Sequence, residues 1–63
     1  MSSEEGARDL ARELGRIEES IADLALDALR ATIHGDAAGK ELEKRLARAR
    51  RAVLKARMLL ESI

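Results

Sequence analysis

The sequence predicts an all-α protein: an antiparallel two-helix hairpin that assembles with copies of itself into a homo-oligomeric helical bundle. Three observations predict it. Apolar residues recur at alternating spacings of three and four along two long stretches. One strong break, His34-Gly35-Asp36, separates those stretches. Large apolar residues are left over once the two stretches have been matched to each other. The whole chain, 1–63, then reads as a single helical hairpin, with a helix over about 3–34, a turn at 35–36 and a helix over about 37–63.

The first helix begins at Ser2, a suitable N-cap, with Glu5 three residues on as its capping-box partner. The chain has no proline, and the only glycine in the middle of the stretch before His34 is Gly15. A lone glycine between Leu14 and Arg16 makes a poor loop, so it does not supply the second break that a three-helix bundle needs. Glycine in mid-helix costs roughly 1 kcal/mol relative to alanine, and Gly15 reads as a place where another helix comes close. Gly35 suits the left-handed position just past a helix end. Asp36 suits the N-cap of the next helix. A turn this short makes the two helices antiparallel neighbours.

The apolar pattern forms two heptad seams. The first runs through Ala7, Leu10, Leu14, Ile17, Ile21, Leu24, Ala28 and Ala31. The second runs through Gly39, Leu42, Leu46, Ala49, Val53, Ala56, Leu60 and Ile63. Such seams pack knobs into holes. Folded at Gly35, the seams match in register, and the residue numbers of every facing pair have the same sum. Sizes match as well: Leu14 meets Ala56, Ile21 meets Ala49, Ala28 meets Leu42, and Ala31 meets Gly39 beside the turn. Large-against-small pairing fills a core without voids. Flanking charges agree, with Asp27 near Arg45 and Glu18 between Arg50 and Arg57. Exposed pairs of this kind contribute a few tenths of a kcal/mol each, so they select a pairing more than they stabilise it.

Six large apolar residues fall outside the shared seam: Leu26, Leu29, Ile33, Leu54, Met58 and Leu59. With Ala22 they form the expected oligomer interface. Ala22, Leu26, Leu29 and Ile33 make a stripe almost opposite the seam. Burying one large aliphatic side chain is worth about 1.5–3 kcal/mol, so six exposed ones forgo roughly 9–18 kcal/mol. That is comparable with the whole stability of a typical domain, about 5–15 kcal/mol. Size sharpens the point, because a core of about 70 residues or fewer rarely supplies more than about 3–5 kcal/mol unaided. The expected partner is therefore the chain itself. A two-fold dimer forming a four-helix bundle is the simplest version, and the second stripe favours a larger ring or cage.

Composition excludes much chemistry. There is no cysteine, so disulfides and thiolate metal sites are ruled out. There is one histidine and no aromatic residue of the Phe, Tyr or Trp kind. His34, in the last turn of the first helix, interacts favourably with the helix dipole. Symmetry could gather several copies of it around an axis, but no Glu-x-x-His pair of the carboxylate-bridged metal bundles is present. Glu19, Asp23 and Asp27 lie four apart on one face. Paired carboxylates do acid–base work when burial shifts them, yet these occupy the one polar strip of the helix and read as a solvated face. Ser20 and Thr32 lack the neighbouring His–acid constellation that nucleophilic catalysis needs. No catalytic, cofactor-binding or metal residue is expected, nor a small-molecule substrate, and the chain is not expected to be an enzyme.

Net charge is zero but segregated. Residues 3–34 carry eight acids and four arginines, and residues 36–63 carry four acids and eight bases. The stretch Lys44-Arg45-Leu46-Ala47-Arg48-Ala49-Arg50-Arg51 offers an alternative reading as a nucleic-acid surface. In length and topology the chain also resembles the Rop family of plasmid RNA-binding hairpins; no motif is shared, and no residue is carried over. The lack of aromatic residues for base stacking and the acidic first helix weigh against nucleic acid. A second alternative is a module that binds an apolar helix of another protein. No run of about 20 apolar residues exists to span a membrane. The start, Met1-Ser2-Ser3-Glu4-Glu5, has no basic segment followed by an apolar one. The expectation is a soluble chain, cytoplasmic if expressed in a cell.

Two uninterrupted helices, a minimal Gly-Asp turn, heptads in matched register and charged outward positions are consistent at every level. In these features the whole chain resembles de novo designed helical-hairpin oligomers. Nine arginines against three lysines, and many small residues, also suit a natural protein from a GC-rich genome.

Overall fold

The computed structural model describes residues 2–62. Over these residues the chain forms α1, Ser3–Ile33, and α2, Ala37–Glu61, packed side by side as an antiparallel hairpin. The rod they make measures 50 × 14 × 11 Å. The seam partner expected for Ala7, Ile63, lies outside the described residues.

The helix ends follow from local chemistry. Ser2 is extended, and its Oγ accepts the Glu5 backbone N–H at 3.1 Å. Glu4 and Glu5 sit in the first turn, where the helix dipole favours acids. At the other end, Gly35 N–H donates to the Thr32 carbonyl and Asp36 N–H to the Ala31 carbonyl, each at 3.0 Å. This paired closure satisfies carbonyls that the helix end would otherwise leave open. It places Gly35 at φ +90°, a left-handed conformation that a side chain would strain. Asp36 serves both helices, because its carboxylate also accepts the Ala38 N–H at 2.9 Å and starts α2. The predicted turn is thus present, with α1 ending at Ile33, one residue short of the expected boundary.

The seam is the point of difference. Most of it faces the neighbouring helix as expected: Ala7, Leu14, Ile21, Ala28 and Ala31 of α1, and Gly39, Leu46, Val53, Ala56 and Leu60 of α2, are buried or half-buried. Five seam residues turn away. Leu10, Ile17, Leu24 and Leu42 are exposed by 52%, 47%, 46% and 39%, and Ala49 is exposed too. Ala11, Glu18, Ala25 and Thr32 of α1, and Glu43 and Arg57 of α2, line the contact in their place. Each helix is therefore rotated about its own axis relative to the expected facing. Small residues allow it, and polar ones hold it. Arg57 Nε donates to Glu18 Oε1 at 3.0 Å across the hairpin, and Arg57 Nη1 donates to Glu61 at 2.7 Å. The Glu18 hydrogen bond first, and the Glu61 one second, raise the pKa of the Arg57 guanidinium above its usual value.

The expected flanking charges are found in part. Of the two arginines expected beside Glu18, Arg57 does pair with it, and Arg50 forms no ion pair with it. Asp27 does not approach Arg45: it pairs with Arg30 at 3.4 Å, while Arg45 pairs with Glu41 at 3.8 Å. Partners one turn away on the same helix are reached without crossing the hairpin.

The close approach read into Gly15 belongs to Gly39. A Cβ on Gly39 would lie 2.9 Å from both the Ala28 carbonyl oxygen and Thr32 Oγ1, so the backbones nearly touch there. A Cβ on Gly15 would meet only the Cδ of Arg57, at 3.8 Å, an ordinary contact. Gly15→Ala is therefore expected to stabilise the protein by about 0.5–1 kcal/mol, through better helix propensity and a less flexible unfolded chain. A thermal melt monitored by circular dichroism checks this; a lower midpoint would mean that a second chain closes on Gly15.

Candidate self-association surfaces

The hairpin is a ribbon with two broad faces, and both carry apolar residues. On the first face, a groove between the helices is lined by Ile21, Ala22, Ala25, Leu26 and Leu29 of α1 and by Leu46, Ala47 and Leu54 of α2, with Glu43, Arg50 and Arg51 around it. On the second face, a shallower groove near the turn is lined by Leu24, Ala28 and Ala31 against Ala38, Gly39 and Leu42, with Asp27 and Asp36 beside it. Seven-residue steps back from Leu24 lead to Ile17 and Leu10, so this second face continues as an apolar strip along α1. A third depression lies on α2, where Leu54, Met58 and Leu59 meet Arg51 and Lys55.

These grooves divide the expected interface. Ala22, Leu26, Leu29 and Leu54 come together on the first face. Met58 and Leu59 join Leu54 in the depression on α2. Ile33, 71% exposed at the end of α1, lines none of the three. Sequence reasoning missed Leu10, Ile17, Leu24 and Leu42 as open surface, because it spent them on the contact within the hairpin. Periodicity held no signal for this, because it sets which residues share a stripe and not how that stripe is turned toward its neighbour.

The amount of open surface is large for the mass. The chain exposes 4837 Å². A compact monomer of 6.9 kDa exposes about 4000 Å² by the usual scaling. The excess, roughly 800 Å², is about what one partner contributes to a standard-sized protein interface. The buried apolar residues among those described are Ala7, Ala11 and Ala28, and no large side chain is fully buried.

The polar groups singled out in the sequence are occupied locally. Ser20 Oγ donates to the Arg16 carbonyl at 3.2 Å. Thr32 Oγ1 lies 2.9 Å from the Ala28 carbonyl, to which it donates, and 3.4 Å from Glu43 Oε2. His34 caps α1 through its backbone N–H, which donates to the Arg30 carbonyl, and is exposed. Glu19, Asp23 and Asp27 are exposed. Among the described residues no three His, Asp or Glu side chains come together as a metal site. Lys44, Arg48, Arg50, Arg51 and Lys55 form no ion pair with the described residues.

The class of protein that this geometry defines is a two-helix hairpin with apolar residues on both faces. Comparison with protein-family models, with curated proteins and with solved structures finds no match. Among the described residues no helix is long and apolar enough to cross a membrane.

Proposed function

We propose that this chain is a structural, non-catalytic subunit that assembles with itself into a homo-oligomeric helical bundle, with the regularity of designed hairpin oligomers. One observation carries the reading: ten large apolar side chains are exposed, while the buried apolar residues are three alanines. Three buried alanines and a few half-buried aliphatic side chains such as Leu14, Ile21, Leu46 and Val53 are a small core for 56 helical residues, 31 in α1 and 25 in α2, against a backbone ordering cost of about 1–2 kcal/mol per residue. Helix stability in water comes mainly from packing an amphipathic face, and here that packing is left for other copies to supply. The residues Ala22, Leu26, Leu29, Ile33, Leu54, Met58 and Leu59 are among those that assembly would cover.

Light scattering coupled to size-exclusion chromatography tests the reading. At micromolar concentration the mass is expected to be at least twice 6.9 kDa. A fully helical species with the mass of a single chain would overturn it.

A second reading, nucleic-acid binding through α2, is favoured by the five basic side chains of residues 44–55 that lie outside ion pairs. It predicts a salt-sensitive gel shift with generic RNA or DNA. No shift at low salt would remove it.

A further inference from the structure

We infer that two copies pair through the face carrying Leu10, Ile17, Leu24 and Leu42, with both turns at the same end, so that α1 of each lies against α2 of the other. This deepens the self-association reading and rests on it. It says which face pairs and in which direction.

The direction of the apolar stripe selects the face. On α1, Leu14, Ile21 and Ala28 point toward α2, while Leu10, Ile17 and Leu24 lie open beside them. On α2, Leu46 and Val53 point toward α1, while Leu42 and Ala49 lie open on the same side. A stripe split this way aims between a neighbour at its side and a neighbour in front. That is the facing of a helix in a four-helix bundle, where stripes meet at a common axis. On α1 the opposite face lacks this continuity, although on α2 it runs through Leu54 to Met58. Its apolar residues Ala22, Leu26 and Leu29 give way to Gly15, Arg12 and Arg8 toward the start of α1.

Side-chain size fits a layered core. Leu14 lies level with Ala56, Ile21 with Ala49 and Ala28 with Leu42. Two copies related by a two-fold axis place two large and two small residues in each such layer, which fills it without overpacking. The roughly 800 Å² of excess surface matches one partner's share of a standard interface.

Charge selects the direction. Face-to-face pairing about a two-fold axis has two forms. With turns at opposite ends, α1 lies on α1, acid against acid. With turns together, the acid-rich α1 lies on the base-rich α2. Asp27 lines the open groove of this face on its α1 side and Ala38 on its α2 side. Seven-residue steps place Ser20 and Glu13 along the first edge, and Arg45 and Ala52 along the second. With turns together, Asp27 comes level with Arg45 of the second copy, and Ser20 with Ala52. Within one chain, Asp27 and Arg45 have only exposed partners on their own helices, at 3.4 and 3.8 Å.

Sedimentation equilibrium on the full chain and on Asp27→Arg, Arg45→Asp and the double variant tests the pairing. Each single reversal is expected to weaken the dimer roughly tenfold, since it disrupts two symmetry-related pairs. The double variant is expected to recover most of that loss. Tighter association by Asp27→Arg, or three variants that all match the parent, would overturn the inference. Because the chain has no cysteine, Ser20→Cys and Ala52→Cys chains can be mixed and oxidised as an independent check. Mixed disulfides are expected to predominate; like-with-like Ser20→Cys dimers would overturn the direction of pairing. A parent protein that is monomeric fails the self-association reading itself, which keeps the two failures distinct.

Discussion

Replacing Leu24 with glutamate is expected to dissociate the assembly and, at micromolar concentration, to strip the chain of most of its helix. Leu24 is half-exposed in the single hairpin and sits mid-strip on the face inferred to pair. A dimer holds two copies, and each loses the burial of the half of Leu24 that the hairpin leaves open, about 0.7–1.5 kcal/mol. Each also forces a carboxylate toward an apolar layer, a further cost that depends on how far it can reach water. The apolar term alone, about 1.5–3 kcal/mol per dimer, weakens association by roughly one to two orders of magnitude. Among the described residues the single hairpin fully buries no large side chain, so dissociation and unfolding are expected to be coupled. Leu29→Glu, on the opposite face, is the control. It is expected to reduce any assembly larger than the dimer while leaving dimer mass and helicity intact. Mass by light scattering and helicity by circular dichroism separate the cases. A Leu29→Glu monomer beside a Leu24→Glu dimer would assign the primary contact to the other face.

The second large effect is expected at Gly39. Gly→Ala inside a helix ordinarily gains up to about 1 kcal/mol. At Gly39 the added methyl would sit 2.9 Å from the Ala28 carbonyl oxygen and 3.0 Å from the Thr32 backbone nitrogen. Backbone atoms cannot swing aside as a side-chain end does, so α2 must shift away from α1 next to the turn. Overpacking of this kind costs typically about 1–3 kcal/mol. Net of the propensity gain, a loss of about 1–2 kcal/mol is expected, a midpoint lower by roughly 5–15 °C for a chain of this size. Gly15→Ala, with the opposite expected sign, serves as the reference in the same melt. A raised midpoint for Gly39→Ala would mean that the helices stand further apart beside the turn than this structure places them.

The elements most legible in the sequence are those decided within one turn of chain. Ser2 as a cap, Gly35 in a left-handed conformation and Asp36 opening α2 each depend on groups a few residues away. The long helices follow for the same reason, since nothing between Ser3 and Ile33 interrupts the backbone ladder. The apolar seams were legible as sets of residues too. Their members at Leu14, Ile21, Leu46 and Val53 do lie in the contact between helices. The candidate surface was legible in part: Ala22, Leu26, Leu29 and Leu54 share a groove, whereas Leu10, Ile17, Leu24 and Leu42 were assigned inward and lie open.

The reason for the division is geometric. Helical periodicity sets the angles between residues of one helix, so the sequence by itself determined the caps, the turn and the membership of each stripe. It leaves free the rotation of each helix about its own axis relative to its neighbour. That rotation is decided in the tertiary structure, by where the backbones can approach, as Gly39 does against Ala28 and Thr32, and by which charges can meet across the gap, as Arg57 and Glu18 do. A small rotation leaves every local preference intact and moves Leu10, Ile17, Leu24, Leu42 and Ala49 from the hairpin's interior to its surface.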